Sequence, residues 1–398
     1  MKLTIICNGK FHHFNQAKAL FELNKLQLLI STYPYSIAKT YGIPKSKFVS
    51  LWPLELLKRS IKLVLRKELP FVGYSRLFNY TVIVILAIKK LLRVEHGYIV
   101  QAGYSLEIIM FLRRYAKVKL LLDRGSLHTK ADKDLRTQAQ KHAEEQLRFR
   151  TKTYNPAFTR REELEYSLVD FIMVPSHFSA DTFLRNGIQE NKLIVNPFPW
   201  DSVDSSDGNL PPHDIYPGIV RKHTVLFVGN KSSRKGFHVL LKAMECLNND
   251  STVHLIAVGS AGDVNIPDYD WLHNIDAVPR QELAQYYKSC SCFCLPSYAE
   301  GLALVLCEAS YYNLHIIATP NTGVQSLQLE ASRYTLCGPP GDANALAKSI
   351  KNYLDTEVSR HTVDNINIIH AKPNIIHTWR DHAFKILNTL SSPPGYAP

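Results

Sequence analysis

The sequence predicts an α/β fold of two domains, each built on a doubly wound parallel sheet. Short apolar runs alternate with helical runs as far as residue 195, and the same alternation restarts at Val225. Repeated strand–helix–strand units give parallel sheets, because each crossover helix returns the chain to the same edge. A chain of 398 residues is also too long for one ordinary hydrophobic core. We therefore expect two domains.

The first half of the chain supplies six predicted strands and the helices between them. Gly9 follows the first strand, where a glycine lets the backbone approach a ligand closely. Ser176 stands where a helix N-cap is expected. Strands are predicted over residues 3–7, 26–31, 98–101, 119–122, 171–174 and 192–195, with helices over 16–23, 106–115 and 130–150.

The second half begins after a proline-rich segment. Residues 196–222 contain five prolines among acidic residues and serines, which is typical of an interdomain connection. We expect domains at 1–200 and 201–373, a C-terminal helix at 374–390 and a disordered tail at 391–398. Further strands are predicted over residues 225–228, 253–258, 292–295 and 315–318, with helices over 235–247, 280–288, 302–312, 342–354 and 375–390.

Residues 296–323 gather polar side chains at the end of a predicted strand. Glu300 and Glu308 lie eight positions apart around the start of a predicted helix. Open α/β sheets bind ligands at the carboxyl ends of their strands. The stretch therefore predicts a ligand site. Two carboxylates could also serve as the acid and base of a hydrolase, although Glu308 falls in the middle of the helix.

The composition is that of a globular protein with an anionic partner. Hydrophobic residues make up 45% of the chain and charged residues 21%, which excludes wholesale disorder. Lysine and arginine number 47 against 35 acidic residues, a balance that favours phospholipid, nucleic acid or phosphorylated substrates. Seven cysteines without paired spacing indicate a reducing compartment. Three of them alternate along one predicted strand, a spacing that suits buried thiols better than zinc ligands.

Membrane association is predicted at the surface of a bilayer and not across it. The longest uninterrupted apolar run, residues 82–88, is far shorter than the ~20 residues that span a bilayer. Residues 2–7 are interpreted as a strand and not as a signal peptide. We expect a cytoplasmic protein, peripheral on the cytosolic face of the membrane.

Residues 58–93 carry nine basic residues and one acid, Glu68. They alternate with aliphatic residues at helical spacing, and Phe71, Tyr74, Phe78 and Tyr80 lie between them. A basic amphipathic segment with aromatic residues is typical of docking on an anionic membrane surface. The alternative is a solvated basic face on helices that pack against the first sheet. No nucleic-acid-binding motif accompanies the charges, so no nucleic-acid partner is expected.

Motifs in the second half carry a resemblance to a known family. They are a strand ending in Gly229, the sequence Arg234-Lys235-Gly236 at a helix start, and Glu300-Gly301 followed by Glu308. This pattern resembles the retaining family-4 glycosyltransferases of GT-B fold, the glycosyl transferases group 1. Residues 12–14 and 124–128 look like a bacterial surface-polysaccharide branch of that family.

The resemblance implies two Rossmann-like domains that face a cleft, with the last helix crossing back to the first domain. It also implies transfer of a sugar, with retention, from a nucleotide-sugar donor to a glycan or lipid-linked acceptor. The leaving phosphate is thought to assist the attacking hydroxyl. Alternatives are a sugar-nucleotide epimerase or phosphorylase of the same fold, or a non-catalytic protein that binds anionic surfaces.

A departing diphosphate needs positive charge, and Lys235 supplies a cation beside free backbone N–H groups. In the family an arginine usually precedes this lysine, and here its place is taken by Asn230 or Lys231. Lys231 or Arg234 is expected to replace the arginine. By resemblance, Glu308 holds the ribose hydroxyls.

Other site residues follow from the same resemblance. Glu300 should contact the transferred sugar, while the backbone N–H groups of Gly301, Leu302 and Ala303 bind sugar or phosphate. In the first domain, Gly9 lies on the donor side, and His12, Arg124 and Ser126 on the acceptor side. His128 or His12 should contact the donor sugar, and the residues predicted to be catalytic are His128, Glu300 and Lys235.

No metal and no cofactor beyond the donor substrate are expected. Two D-x-D triplets, residues 132–134 and 268–270, resemble the metal-binding triplet of another glycosyltransferase class. Neither follows a predicted strand, and Lys235 can neutralise the diphosphate without a metal.

Overall fold

The structure is a computed structural model that describes residues 1–66, 70–92, 96–151, 155–199, 223–248, 253–361 and 378–391. The predicted interdomain connection beyond residue 199 and the tail at 392–398 lie outside the described residues. So do three members of the basic stretch, Lys67, Glu68 and Arg93.

The first domain is a seven-stranded parallel sheet with helices on both faces. Its strand order is β3-β2-β1-β4-β5-β6-β7. Its strands are β1 (Lys2–Cys7), β2 (Leu26–Ser31), β3 (Phe48–Ser50), β4 (His96–Gln101), β5 (Lys119–Asp123), β6 (Phe171–Val174) and β7 (Leu193–Val195). Its helices are α1 (His13–Glu22), α2 (Tyr35–Thr40), α3 (Trp52–Leu65), α4 (Phe71–Ile88), α5 (Leu106–Tyr115), α6 (Thr129–His142), α7 (Pro156–Leu168) and α8 (His177–Leu184).

The second domain is a six-stranded parallel sheet of the same kind, in the order β10-β9-β8-β11-β12-β13. Its strands are β8 (Thr224–Val228), β9 (His254–Val258), β10 (Leu272–Ile275), β11 (Cys292–Leu295), β12 (His315–Ala318) and β13 (Tyr334–Leu336). The helices that follow are α9 (Phe237–Asn248), α10 (Arg280–Ser289), α11 (Leu304–Tyr311), α12 (Ala343–His361) and α13 (Trp379–Ser391).

The last helix, α13, packs on the first domain. Ala383, Ile386 and Leu387 join the buried cluster that contains Leu3 and Ile5 of β1. The side-chain amide of Asn196 also donates to the His382 carbonyl at 3.2 Å. The predicted return of the C-terminal helix to the first domain is therefore present in the structure.

Several predicted helices have different bounds in the structure, among them the following two. The polar helix predicted over residues 130–150 ends at His142, and a short 3-10 turn over Glu144–Gln146 follows it. The helix predicted from Lys235 begins at Phe237. Lys235 therefore lies in the turn before α9 and not on the helix itself.

The basic stretch forms α3 and α4, and its aromatic residues do not all face outward. Tyr74 and Phe78 are buried in the first domain, which corrects the expectation that they lie on a membrane-facing surface. Instead, the exposed stripe of α4 is Leu77, Tyr80, Val84 and Ile88. Their spacing of three or four residues places them on one helix face.

Among the described residues, α4 alone is long and apolar enough to cross a membrane by length and composition. The apolar segment is therefore longer than the run predicted over residues 82–88, because the whole 18-residue helix α4 has a mean hydropathy of 1.6. One side of α4, at Phe78, Val82 and Leu86, is fully buried against the first sheet. That packing is the packing of a core helix in a layered α/β domain.

Candidate active site

A cavity of about 680 Å³ lies between the two domains, at the carboxyl ends of both sheets. The first domain lines it with His12, Asp123, Arg124, Ser126 and Phe198, among others. The second domain contributes Arg280, Leu302 and Leu304, and α13 contributes Trp379. Most of these residues follow strand ends, as the sequence pattern predicts for a ligand site.

The loop that leads to Leu302 at the cavity wall carries a carboxylate held by two cations. Glu300 Oε1 lies 2.7 Å from Lys235 Nζ and 2.5 Å from Arg234 Nη1. Arg234 also donates to the Ala299 carbonyl at 2.7 Å, so its guanidinium is fixed against the loop that precedes α11. The three side chains together carry a net positive charge.

The charge state of Glu300 follows from these contacts. Burial alone would raise the pKa of Glu300, but the ion pairs with Lys235 and Arg234 outweigh it and lower the pKa. Glu300 is therefore a carboxylate at neutral pH. An anion that approaches this group meets two cations whose positive charge exceeds the single negative charge.

A tight turn before α9 presents Arg234 and Lys235 to the loop. Gly236 has a φ of +70°, and a Cβ atom there would lie 2.0 Å from the Pro296 carbonyl oxygen. Only glycine fits at this position, because the turn needs left-handed backbone and a close approach to the end of β11. The turn geometry thus explains why a glycine follows the Arg-Lys pair.

The loop before α11 contacts the first domain directly. A Cβ atom on Gly301 would lie 2.4 Å from the Gly125 carbonyl oxygen. Ser176, the N-cap of α8 as predicted, donates its hydroxyl to the Gly301 carbonyl. His177 N donates to Ser326 Oγ at 2.9 Å across the same interface. The loop that carries Glu300 is therefore anchored to both domains.

Two of the three predicted backbone donors in this loop are available. Within the described part of the chain, the N–H groups of Gly301 and Leu302 have no hydrogen-bond partner. Ala303 N donates to the Thr322 carbonyl at 3.2 Å. The expectation for Ala303 is therefore wrong, because an internal hydrogen bond already uses its N–H.

Glu308 lies on α11 with a partner on each oxygen. Tyr287 donates its hydroxyl to Oε2 at 2.9 Å, and Arg280 Nε lies 3.9 Å from Oε1. Burial raises the pKa of Glu308, while Tyr287 and Arg280 act in the opposite direction. Arg280 also lines the cavity, so Glu308 stands close to its second-domain wall. That Glu308 holds the ribose hydroxyls of the donor remains a prediction.

Of the candidates for the missing family arginine, the structure favours Arg234. Lys231 is 1% exposed, and its Nζ donates to the carbonyls of Gly259 and Ile275. Burial lowers the pKa of Lys231. Its side chain ties two loops together through these buried hydrogen bonds, which corrects the expectation that it binds donor phosphate. Asn230 is likewise engaged, since its amide donates to Ser260 Oγ at 3.0 Å.

His12 meets an acidic residue, Asp123, that is not among the predicted site residues. His12 Nε2 lies 2.7 Å from Asp123 Oδ2, and His13 Nε2 lies 3.5 Å from the same oxygen. Gln16 donates to that oxygen at 2.8 Å. Asp123 is the last residue of β5, and its position at a strand end was the available signal.

Arg124 and Ser126 line the cavity, and their role on the acceptor side remains a prediction. The guanidinium of Arg124 is already paired. Its Nη1 contacts Glu162 Oε1, and its Nε donates to the Leu127 carbonyl at 2.9 Å. Arg124 therefore stabilises its own loop. Gly9 does not line the cavity, and its carbonyl accepts from Ser31 Oγ at 2.8 Å. Its predicted place on the donor side is corrected accordingly.

His128 is placed away from the cavity. It is 2% exposed, packs on Tyr166 and Phe183, and accepts from Lys130 N at 3.3 Å as the N-cap of α6. Burial lowers the pKa of His128 to about 4, so the ring is neutral at neutral pH. The predicted catalytic role of His128 is therefore corrected to a structural one, and His12 is the histidine at the cavity.

The described residues contain one group with the spacing of a metal site, namely His12, His13 and Asp123, whose ligand-type atoms lie within 4.8 Å of one another. The first D-x-D triplet does not form such a site. Asp132 is buried and pairs with Arg136 at 3.0 Å within α6. The cysteines of β11 are buried free thiols.

Comparison with known proteins identifies the second domain. Residues 217–367 match the family model described as glycosyl transferases group 1. The match runs through the second domain from before β8 to beyond α12. It contains Arg234, Lys235, Glu300 and Glu308, the residues on which the resemblance was based.

Two curated relatives match this chain over part of their length. An uncharacterized glycosyltransferase of Haemophilus influenzae is 33% identical over 145 residues, covering 34% of this chain and 40% of the relative. TuaC of Bacillus subtilis, named as a teichuronic acid biosynthesis glycosyltransferase, is 30% identical over 129 residues, or 32% of each chain. The matched segments thus span less than half of these relatives.

A solved structure extends the likeness to both domains. Anabaena HepE, solved in complex with UDP and glucose, superposes with a TM-score of 0.60 at 15% identity. The superposition covers 98% of this chain and 99% of HepE. The two domains together therefore have the GT-B fold, and the domain that matches the group 1 model is its second half.

Proposed function

We propose that this chain is a retaining glycosyltransferase that moves a sugar from a nucleoside-diphosphate donor to a glycan or lipid-linked acceptor in cell-surface polysaccharide synthesis. The observation that carries the proposal is the pair Arg234 and Lys235, held on Glu300. Next to Glu300 in the chain are the N–H groups of Gly301 and Leu302, which have no hydrogen-bond partner among the residues that the structure describes. The group 1 match supports the reaction class, and the likeness to TuaC supports the polysaccharide role.

These residues suit the departure of a diphosphate. As the bond between the sugar and the phosphate oxygen breaks, negative charge grows on the leaving group. Arg234, Lys235 and the two N–H groups would neutralise that charge without a metal ion. Glu300 would then be released from its cations to accept hydrogen bonds from sugar hydroxyls. Glu308, beside Arg280 on the cavity wall, would accept from the ribose hydroxyls.

Nucleotide binding and sugar transfer test this proposal directly. A thermal-shift screen with UDP, GDP and ADP should show stabilisation by at least one nucleotide, since a ligand that binds only the folded state raises its stability. Incubation with the matching nucleotide sugar should release nucleoside diphosphate and glycosylate an acceptor. A protein that binds none of the three nucleotides would contradict the proposal.

An epimerase or a phosphorylase of the same fold can be distinguished from a transferase by its products. An epimerase needs no second substrate, so donor alone would yield an isomerised nucleotide sugar. A phosphorylase would release a sugar phosphate when inorganic phosphate is supplied. A transferase instead forms a glycoside and free nucleoside diphosphate. The identity of the released compounds therefore decides among the three reactions.

A peripheral position on an anionic membrane is part of the proposal. The exposed stripe of α4, Leu77 to Ile88, ends at two exposed lysines, Lys89 and Lys90. A second cavity of about 870 Å³ lies at the opposite end of the first sheet from the cleft, and its described lining contains no acidic residue. That cavity is lined by Lys2, Lys25, Lys89, Lys90 and Lys119, together with Met1 and His96. Apolar side chains beside clustered lysines suit anionic lipid headgroups.

Vesicle binding tests the membrane surface. We expect cosedimentation with phosphatidylglycerol vesicles, weaker binding at high salt and little binding to phosphatidylcholine. The double variant Lys89→Glu, Lys90→Glu should lose this binding. The matched control, Lys348→Glu with Lys351→Glu on α12, changes the net charge equally at exposed positions of the second domain. Equal losses in both pairs would show a general charge effect and contradict a specific surface.

A further inference from the structure

Aromatic rings form a continuous row along the first-domain side of the cavity, which we call the aromatic belt. Phe11, Phe198 and Trp379 line the cavity, and histidine rings lie between them. Neighbouring rings of the belt have centroids 4.2 to 6.5 Å apart. In order, the belt consists of Phe11, His13, His12, Phe198, His382 and Trp379. It therefore connects the loop after β1 with the C-terminal helix.

Phe11 adopts a conformation that the stability of the fold does not explain. Its φ is +32°, in the left-handed region that is costly for a residue with a Cβ atom. Its side chain is also left 65% exposed, so little hydrophobic burial offsets that cost. A Cβ atom on Gly9 would lie 2.8 Å from Phe11 Cε2, so the ring lies over a residue that has no side chain. Backbone strain of this kind concentrates at ligand sites. The loop holds an exposed ring on the cavity wall.

Two side-chain amides lie in the same cavity as these rings. Gln101 Oε1 accepts from Asn8 N at 2.7 Å, which fixes the side chain and leaves its NH₂ group to meet a ligand. Within the part of the chain that the structure describes, neither this NH₂ group nor the Asn15 amide has a hydrogen-bond partner. An alkyl chain in the cavity would bury these amides unsatisfied, whereas the hydroxyls of a sugar would pair with them. Rings beside free amides therefore favour a saccharide.

The belt adjoins the donor loop without sharing its cations. Leu302, two residues after Glu300, lines the cavity from the second domain. Arg234, Lys235 and Glu300 itself are not among the described residues that line it. A ligand on the belt would thus lie next to the donor loop and away from the proposed diphosphate position. That is where an acceptor must bind for its hydroxyl to reach the transferred sugar.

We propose that the aromatic belt binds pyranose rings of the acceptor, with Phe11 and Trp379 as stacking platforms. The part of the acceptor that enters the cavity is then a saccharide and not an alkyl chain. This inference rests on the proposed function and names its acceptor class. The C–H groups on one face of a pyranose carry partial positive charge, because their carbons bear oxygen, and the faces of aromatic rings carry negative charge. The hydroxyls at the edge of the pyranose would bind Asn15 and Gln101.

Saturation-transfer NMR on the full chain tests the stacking. The probes are the methyl β-pyranosides of glucose, galactose, mannose and N-acetylglucosamine, with hexanol as the alkyl probe. Saturation of the aromatic protons should reach at least one pyranoside, most strongly at the C–H protons of one ring face, and should reach hexanol little.

Leucine variants separate stacking from apolar contact. Phe11→Leu and Trp379→Leu keep an apolar side chain but remove the ring, and each should weaken pyranoside binding by roughly 10-fold, the scale of one aromatic contact. Phe11→Tyr should keep the affinity because it keeps the ring. The matched control is Phe384→Leu, an exposed ring on the same helix as Trp379 that is not among the residues lining the cavity.

Four results would overturn the proposal. They are a wild-type protein that binds none of the four pyranosides, equal affinity in Phe11→Leu, Trp379→Leu and Phe384→Leu, saturation that reaches hexanol in place of the sugars, and loss of nucleotide binding in Phe11→Leu. The last result would place the belt in the donor site, whereas we expect nucleotide to stabilise Phe11→Leu as it does the wild type. Failure of the proposed function looks different, because no nucleotide would then stabilise the wild-type protein, whatever the belt binds.

Discussion

Glu300 Oε1 lies 2.7 Å from Lys235 Nζ, so the cation proposed to meet the donor diphosphate is paired internally with a carboxylate. The same oxygen also accepts from Arg234, and both cations are less than a third exposed. Donor binding would therefore exchange one anionic partner for another. The cations are held in place before the donor arrives, which reduces the cost of ordering them.

Replacing Glu300 with glutamine should separate nucleotide binding from sugar transfer. The variant removes the carboxylate that competes with diphosphate, so the affinity for free nucleoside diphosphate should stay equal or rise. Transfer should fall by about 100-fold, because the group proposed to contact the sugar loses its charge. Calorimetry and initial rates check the two effects. The control is Glu330→Gln, at an exposed position of the second domain, and equal falls in affinity and rate would contradict the exchange.

Replacing Lys235 or Arg234 with alanine should lower the transfer rate by about 100-fold or more, the usual effect of losing one donor to a developing anion. Nucleotide affinity should fall as well, because the diphosphate loses a cation in the ground state. Isothermal titration and steady-state kinetics measure the two effects. A variant of either residue that keeps full activity would show that the diphosphate is held elsewhere.

The sequence predicted the interior strands of both sheets but missed three of the four edge strands. All ten predicted strands are present, because long apolar runs between turn signals mark strands buried on both faces. The three missed strands, β3, β10 and β13, have three or four residues and lie at sheet edges. Edge strands bury less surface, so their composition resembles that of loops.

Some site residues could be predicted from the sequence in the same way, whereas the roles of others depended on tertiary contacts. Lys235 lies in a turn and Glu300 in a loop at a strand end, and both were among the predicted site residues. Lys231 and His128 have side chains of the expected chemistry, yet both are buried and bonded to their own domain. Asp123 was missed because its partner, His12, is 111 positions away in the chain.

Replacing Lys231 with methionine should affect stability more than binding. Its Nζ donates to two backbone carbonyls in a buried setting, and their loss leaves both acceptors unpaired at a cost of about 1–3 kcal/mol each. We expect a lower midpoint of denaturant unfolding, with the nucleotide affinity of the folded protein retained. An unchanged unfolding midpoint combined with a loss of nucleotide affinity would show that Lys231 binds the donor after all.

The stability of the chain should fall at acid pH through Asp123. Its pKa is lowered in the folded protein, so its contribution is present above the unfolded value, about 3.9, and is lost as the pH falls toward the lower folded value. Asp123→Asn should be less stable at neutral pH by about 1.5–3 kcal/mol, the worth of one charged hydrogen bond. Its free energy of unfolding should also depend less steeply on pH below 4 than that of the wild type. Denaturant unfolding at a series of pH values checks both effects, and parallel curves would contradict them.

Replacing Gly301 with alanine should disturb the contact between the two domains. The new Cβ atom would lie 2.4 Å from the Gly125 carbonyl oxygen and 2.9 Å from Ser126 Cα, and these neighbours are backbone atoms that cannot rotate away. The loop must therefore shift, and the Gly301 and Leu302 N–H groups shift with it. A displacement of this kind commonly costs about 100-fold in rate even when the chemistry is intact.

The matched control is Gly73→Ala on α4, where no atom lies within 4 Å and alanine favours the helix. We expect the control to keep its activity and gain stability, whereas Gly301→Ala should lose transfer. Full activity in Gly301→Ala would show that the two domains separate at this contact when the donor is bound.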